Sequence, residues 1–167
     1  MRLGVMIGAE RGDMARKVKK LLEDIEWAES AGLDTAWMPQ VPNDFDCLTM
    51  VSLMGTRTSR IELGTAVVPL QAQHPIALAR QALSVHAGIG RRLALGVGPS
   101  HHWIVRDMLG IPYEKPAATP ATTSRCSTRH SPALATLMWR TIRSPCTTQQ
   151  CWARRRRCRC WSRRSGR

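Results

Sequence analysis

Apolar residues in the N-terminal part of the chain alternate between two rhythms, short continuous runs and stripes at helical spacing. Residues 2–8 (RLGVMIG) read as a first short strand. Behind it Val18, Leu21, Leu22, Ile25 and Ala28 recur at helical spacing, while Lys17, Lys19, Lys20, Glu23, Asp24 and Glu26 take the wet face. Asp13 stands where an N-cap belongs, and Gly32 where a glycine ends a helix. A second strand follows at 35–38, then a second helix at 46–55 with Leu48, Val51, Leu53 and Met54 to pack. Residues 60–68 form the third strand, and His74-Pro75 opens a third helix with proline where its missing N–H costs nothing. Ile76, Leu78, Ala79, Ala82, Leu83 and Val85 supply that helix with an apolar side. Residues 92–98 are the fourth strand, and Ser100 is placed to cap a short helix running through Trp103, Ile104 and Met108.

Strand and helix in regular alternation imply parallel strands covered by helices. Two α/β architectures satisfy that pattern: an open doubly wound sheet, or part of an eightfold barrel. Periodicity alone does not separate them.

Composition changes the picture only when the chain is divided. The 167 residues carry a net charge of +13, which by itself reads as a basic nucleic-acid binder. Residues 1–118, however, hold all twelve acidic residues against thirteen Lys and Arg, a net of +1. Residues 119–167 hold twelve Arg, no Lys and no acidic residue, and five of the six cysteines. The two segments are therefore read as an α/β domain at 1–118 and a basic tail at 119–167. With Cys47 the one cysteine before the tail, no disulfide framework is expected. Glu10, Arg11 and Asp13 interrupt any leader-like apolar run, and no stretch approaches the roughly 20 residues of a membrane span. A cytoplasmic protein with no membrane partner is the expectation.

Three segments in this order and spacing, AESAGLDTAW at 28–37, TSRIELGTAVVP at 58–69 followed by His74-Pro75, and GRRLALGVGPS at 90–100, resemble the luciferase-like monooxygenase superfamily. The likeness is nearest to its deazaflavin-dependent branch, the oxidoreductases similar to methylene-tetrahydromethanopterin reductase. That resemblance implies a (β/α)8 barrel, of which this chain holds the first four units. It implies coenzyme F420, or FMN in sister branches, at the C-terminal ends of the strands, with hydride passing to or from a small organic substrate. It also implies a cis peptide at the end of the third strand, within Thr65-Ala66-Val67, placed at Ala66–Val67. Gln40 after the second strand and Gly98, Pro99 and Ser100 after the fourth would face the same pocket. Gln40 stands where relatives often carry an acidic residue. No catalytic residue and no metal site are assigned, and homodimers are expected only of the parent family.

Rival readings of these features are weaker. Gly96-Val97-Gly98-Pro99-Ser100-His101 begins like a dinucleotide fingerprint, but His101 replaces the third glycine and the motif follows the fourth strand. His101 and His102 would point about 100° apart on a helix and have no acidic or cysteine partner at a supporting spacing. Trp37 and Trp103 are expected to pack the barrel, and Asp44 and Asp46 to cap a helix. Thr65-Ala66-Val67 also suits an ordinary strand end.

The tail has two readings. Taken literally, Arg154-Arg155-Arg156-Arg157 between Trp152 and Trp161 is a nucleic-acid arm, and Cys158-Arg159-Cys160 is half a metal site. It contains no lysine, matches no common zinc spacing and shows no apolar period. A shifted reading frame accounts for all of this. Cys and Trp codons begin TG and four-box Ser codons TC. A frame built from the last base of one codon and the first two of the next therefore meets T at its middle position and encodes an apolar residue. On that reading residues 158–167 become a buried strand with a glycine turn, and 119–132 an amphipathic helix. The chain as written is then expected to have little or no activity.

Overall fold

The computed structural model describes residues 2–9 and 12–113. The whole basic tail, with both readings attached to it, lies outside the described residues. The elements are β1 (Gly4–Met6), α1 (Met14–Ser30), β2 (Thr35–Met38), α2 (Cys47–Thr56), β3 (Glu62–Thr65), β4 (Val68–Pro69), α3 (Pro75–Gly88), β5 (Leu93–Ala94) and β6 (Val97–Gly98), then a π-helical turn at Ile104–Met108.

All strand pairs are parallel. β1, β2, β3 and β5 lie side by side in chain order, and β4 pairs with β6 beyond them. That order tells against the doubly wound alternative that periodicity left open. Right-handed crossovers that always step in one direction put every helix on the same face of the sheet. α1 accordingly packs on α2, and α2 on α3, which helices on opposite faces could not do. The register places Ala36, Leu63 and Leu93 under the helices, where each is buried together with Met38, Leu95, Leu21, Ile25, Leu48, Val51 and Ala82. The other face carries Gly4, Met6, Trp37, Gly64 and Ala94, and Met6 is 54% exposed. A doubly wound sheet covers both faces. This one is singly wound, and among the described residues it stays open.

Local chemistry sets the helix ends. The Asp13 carboxylate accepts from Ala15 N at 2.9 Å, and that of Asp46 from Thr49 N at 2.8 Å. His74 Nδ1 accepts from Ile76 N at 3.3 Å. Gly32, at φ 81°, closes α1 with its N–H on Glu29 O and the following N–H on Ala28 O, both at 3.1 Å.

At the N-terminal ends of the strands a polar seam joins the units. The Glu29 carboxylate accepts from the backbone N–H groups of Ser59, Arg60 and Ile61. Arg92 donates to Gly55 O at 2.9 Å, Thr58 O at 2.7 Å and Ile61 O at 2.8 Å, tying down the exit from α2. Burial alone would push the Glu29 carboxyl up. The three N–H donors and the nearby Arg92 charge outweigh it and hold the group below its ordinary value. A carboxyl lowered on folding stabilises the protein above its unfolded titration range, about pH 4, and loses that contribution as the pH falls through its folded value. Glu29→Gln is therefore expected to flatten the acid limb of a plot of urea midpoint against pH. An acid limb as steep as that of the parent would rule out this seam as a source of acid sensitivity.

Three sequence expectations change. Lys17, placed on the wet face, is buried at 6% exposure because Asp44 from the β2–α2 loop reaches it as an ion-pair partner. Leu53 and Trp103, expected to pack, are 39% and 45% exposed. The third and fourth strands are each broken in two rather than continuous.

Candidate functional site

Because the strands are parallel, their C-terminal ends share one rim. The break in the third and fourth strands shapes that rim. Between the pairs Gly64↔Ala94 and Val68↔Val97 lie Thr65, Ala66 and Val67 on one strand but only Leu95 and Gly96 on the other. The extra residue is a bulge, which interrupts the ladder and leaves backbone groups to be satisfied some other way. Thr65 does this. Its hydroxyl donates to Gly96 O at 2.8 Å and accepts from Gly96 N at 2.9 Å. Gly96 O also accepts from Val68 N at 2.9 Å, which restarts the pairing. Any side chain at position 96 would lie 2.0 Å from the Thr65 carbonyl oxygen.

The bulge pushes Ala66 and Val67 toward the rim. The Ala66–Val67 peptide is cis, at the bond the resemblance named. Val67 is 42% exposed and covers Gly98, where an added Cβ would come within 3.0 Å of a valine methyl. Thr65 is fully buried with both hydroxyl roles spent on Gly96, so it positions the bulge and offers a ligand no polar atom.

Of the other rim residues, Gln40 holds the β2–α2 loop: its Oε1 accepts from Cys47 N at 2.9 Å and its Nε2 donates to Phe45 O at 3.1 Å. Asp44, in the same loop, makes the buried ion pair with Lys17. Burial raises its carboxyl, but Lys17 and the Phe45 N–H lower it further, and the net shift is downward. Asp46 caps α2 and also accepts from Gln81 at 3.0 Å, joining α2 to α3. Pro99 is exposed, and the Ser100 N–H donates to Gln71 Oε1 at 3.1 Å. Gln71 escaped the sequence reading. A polar residue just beyond a buried apolar strand end, two positions after Pro69, was the available sign.

His101 stacks on Trp103, and His102 meets Tyr113 edge-on, so the pair faces different partners. Burial and the charge of Asp46 push the Cys47 thiol up to about 12, which leaves it a protonated core group. No cluster of three or more metal-ligating residues occurs among the described residues.

Sequential parallel strands with a one-sided helix layer define a singly wound parallel α/β protein. The chain belongs to the luciferase-like monooxygenase family, which matches residues 1–121. It is 33% identical over 119 residues to a protein of Mycobacterium tuberculosis named as a coenzyme F420-dependent oxidoreductase, a match covering 71% of this chain and 34% of the relative. The F420-dependent tetrahydromethanopterin reductase of Methanopyrus kandleri shares the fold with a TM-score of 0.58 at 23% identity, over 67% of this chain and 30% of that one. The oxygenating constituent of 3,6-diketocamphane monooxygenase from Pseudomonas putida, solved with FMN, superposes with a TM-score of 0.69 at 16% identity, over 76% and 38%. The chain thus spans about a third of the length of such relatives. No helix among the described residues is long and apolar enough to cross a membrane.

Proposed function

We propose that this chain carries the ring-facing part of a deazaflavin-dependent oxidoreductase, one that passes hydride between coenzyme F420 and a small organic substrate. The carrying observation is the rim at the bulge. Ala66 and Val67, the latter lying over the buried Gly98, present a small, uncharged surface at the C-terminal strand ends, where barrel enzymes place their chemistry. Such a surface fits a flat heteroaromatic ring lying against it. A bound deazaflavin would supply the hydride donor and acceptor. The chain's own residues set the place: Thr65 holds the bulge, Val67 and Gly98 shape the contact, and Gln40 and the Lys17–Asp44 pair fix the neighbouring loop. An FMN-dependent monooxygenase is the second reading, favoured by the fold shared with the FMN-bound Pseudomonas protein.

None of Gln40, Thr65, Ala66, Val67, Gly98, Pro99 and Ser100 is charged, so the described rim holds the ring without gripping a phosphate. Fluorescence titration of the full chain is expected to show weak binding of F420 and FMN, with a dissociation constant on the order of 0.1–1 mM. Riboflavin, which lacks the phosphate, should bind as well as FMN. Micromolar affinity for F420 would defeat the expectation that this chain is largely inactive. No binding of any of the three at millimolar concentration would defeat the cofactor reading itself.

A further inference from the structure

Gln71 carries one polar atom that the protein leaves unused. The residue follows β4 and sits at the rim: Leu70 N donates to Gly98 O at 3.1 Å, and Gln71 Oε1 accepts from Ser100 N at 3.1 Å. Because the Ser100 N–H can only donate, the oxygen of the amide must face it, and Nε2 must point the other way. Nε2 is shut off from solvent and has no hydrogen-bond partner among the described residues. Buried amide donors without an acceptor are rare because they cost stability. One retained beside the bulge is accounted for if a ligand supplies the acceptor. The geometry points to Gln71 Nε2 as a hydrogen-bond donor to a neutral ring acceptor, a carbonyl oxygen or ring nitrogen, of the bound deazaflavin or flavin. This rests on the cofactor reading above and adds a residue to it. A ring atom is favoured over a phosphate because none of Ala66, Val67, Gly98, Pro99 and Ser100 is charged.

Gln71→Glu separates this role from a structural one. Glutamate keeps the acceptor that holds the Ser100 N–H and replaces the Nε2 donor with an oxygen. Riboflavin and FMN are titrated side by side into the full-length parent and variant chains by fluorescence quenching, and the absorption band of each bound flavin is recorded. Thermal melting of the ligand-free proteins monitors folding. Loss of the donor is expected to weaken both flavins by the same factor, roughly three- to tenfold, and to move the bound spectrum toward that of free flavin. Gln71→Met, uncharged and of similar length, should weaken both as well and serves if the glutamate variant fails to fold. Weakening of FMN alone would assign the donor to a phosphate and overturn the inference. Unchanged affinity of the variants for both flavins would also overturn it, while leaving the cofactor reading intact. Failure of the parent chain to bind either flavin would overturn both.

Discussion

Gly96→Ala is expected to destabilise the protein by on the order of 3 kcal/mol. The added Cβ would lie 2.0 Å from the Thr65 carbonyl oxygen and 3.1 Å from its carbon, both backbone atoms in the centre of the sheet. Neither can move away without opening the bulge and breaking the two bonds of the Thr65 hydroxyl. Gly98→Ala is the control. There the nearest atom, at 3.0 Å, is a methyl at the end of the exposed Val67 side chain, which can turn aside, so the cost should be about 1 kcal/mol or less. Urea denaturation of both variants tests the difference. Equal midpoints for the two would show that the third and fourth strands do not meet through Thr65.

Asp44→Ala is the second large expected loss, about 3 kcal/mol, because it removes a buried ion-pair partner of the Lys17 ammonium. The two side chains are 5% and 11% exposed, so water offers little compensation. The pair joins the start of α1 to the β2–α2 loop, and breaking it should also loosen the loop that Gln40 secures. Lys17→Met combined with Asp44→Leu should recover most of the loss, since apolar side chains then replace both members of the buried pair. A double-mutant cycle in urea measures the coupling. Strictly additive single losses would mean that the two side chains do not share an environment. Linkage runs in the same direction as for Glu29: Asp44 is lowered on folding, so its contribution is present at neutral pH and fades as acid titrates the folded carboxyl.

What the sequence made legible was local. Asp13, Asp46 and the His74-Pro75 pair mark helix starts through bonds made within three residues, and Gly32 marks a stop through its own φ. The second strand appears at the residues expected, since Thr35–Met38 is a compact apolar run bounded by turn residues. The broken third and fourth strands could not be read, because the break depends on a hydroxyl and a glycine 31 positions apart in sequence. Lys17 was misplaced for the same reason: its partner is 27 residues away, and nothing in its own helix marks it as buried. At the candidate site the ordered segments placed their residues at one end of the strands, but did not show the division of work there. Gln40 and Thr65 use their polar atoms to hold backbone, whereas Gln71 keeps one buried atom that no described residue partners.

The two poles of the sheet are built to opposite rules. At the strand beginnings, Glu29, Arg60 and Arg92 saturate the carbonyls and amides of turns contributed by different repeats, so that pole behaves as a fused base plate. Sequence change there has to be matched by its neighbours. Diversification of chemistry within such a lineage is thereby confined to one end of the molecule, and an engineer exchanging loops should work from that end alone.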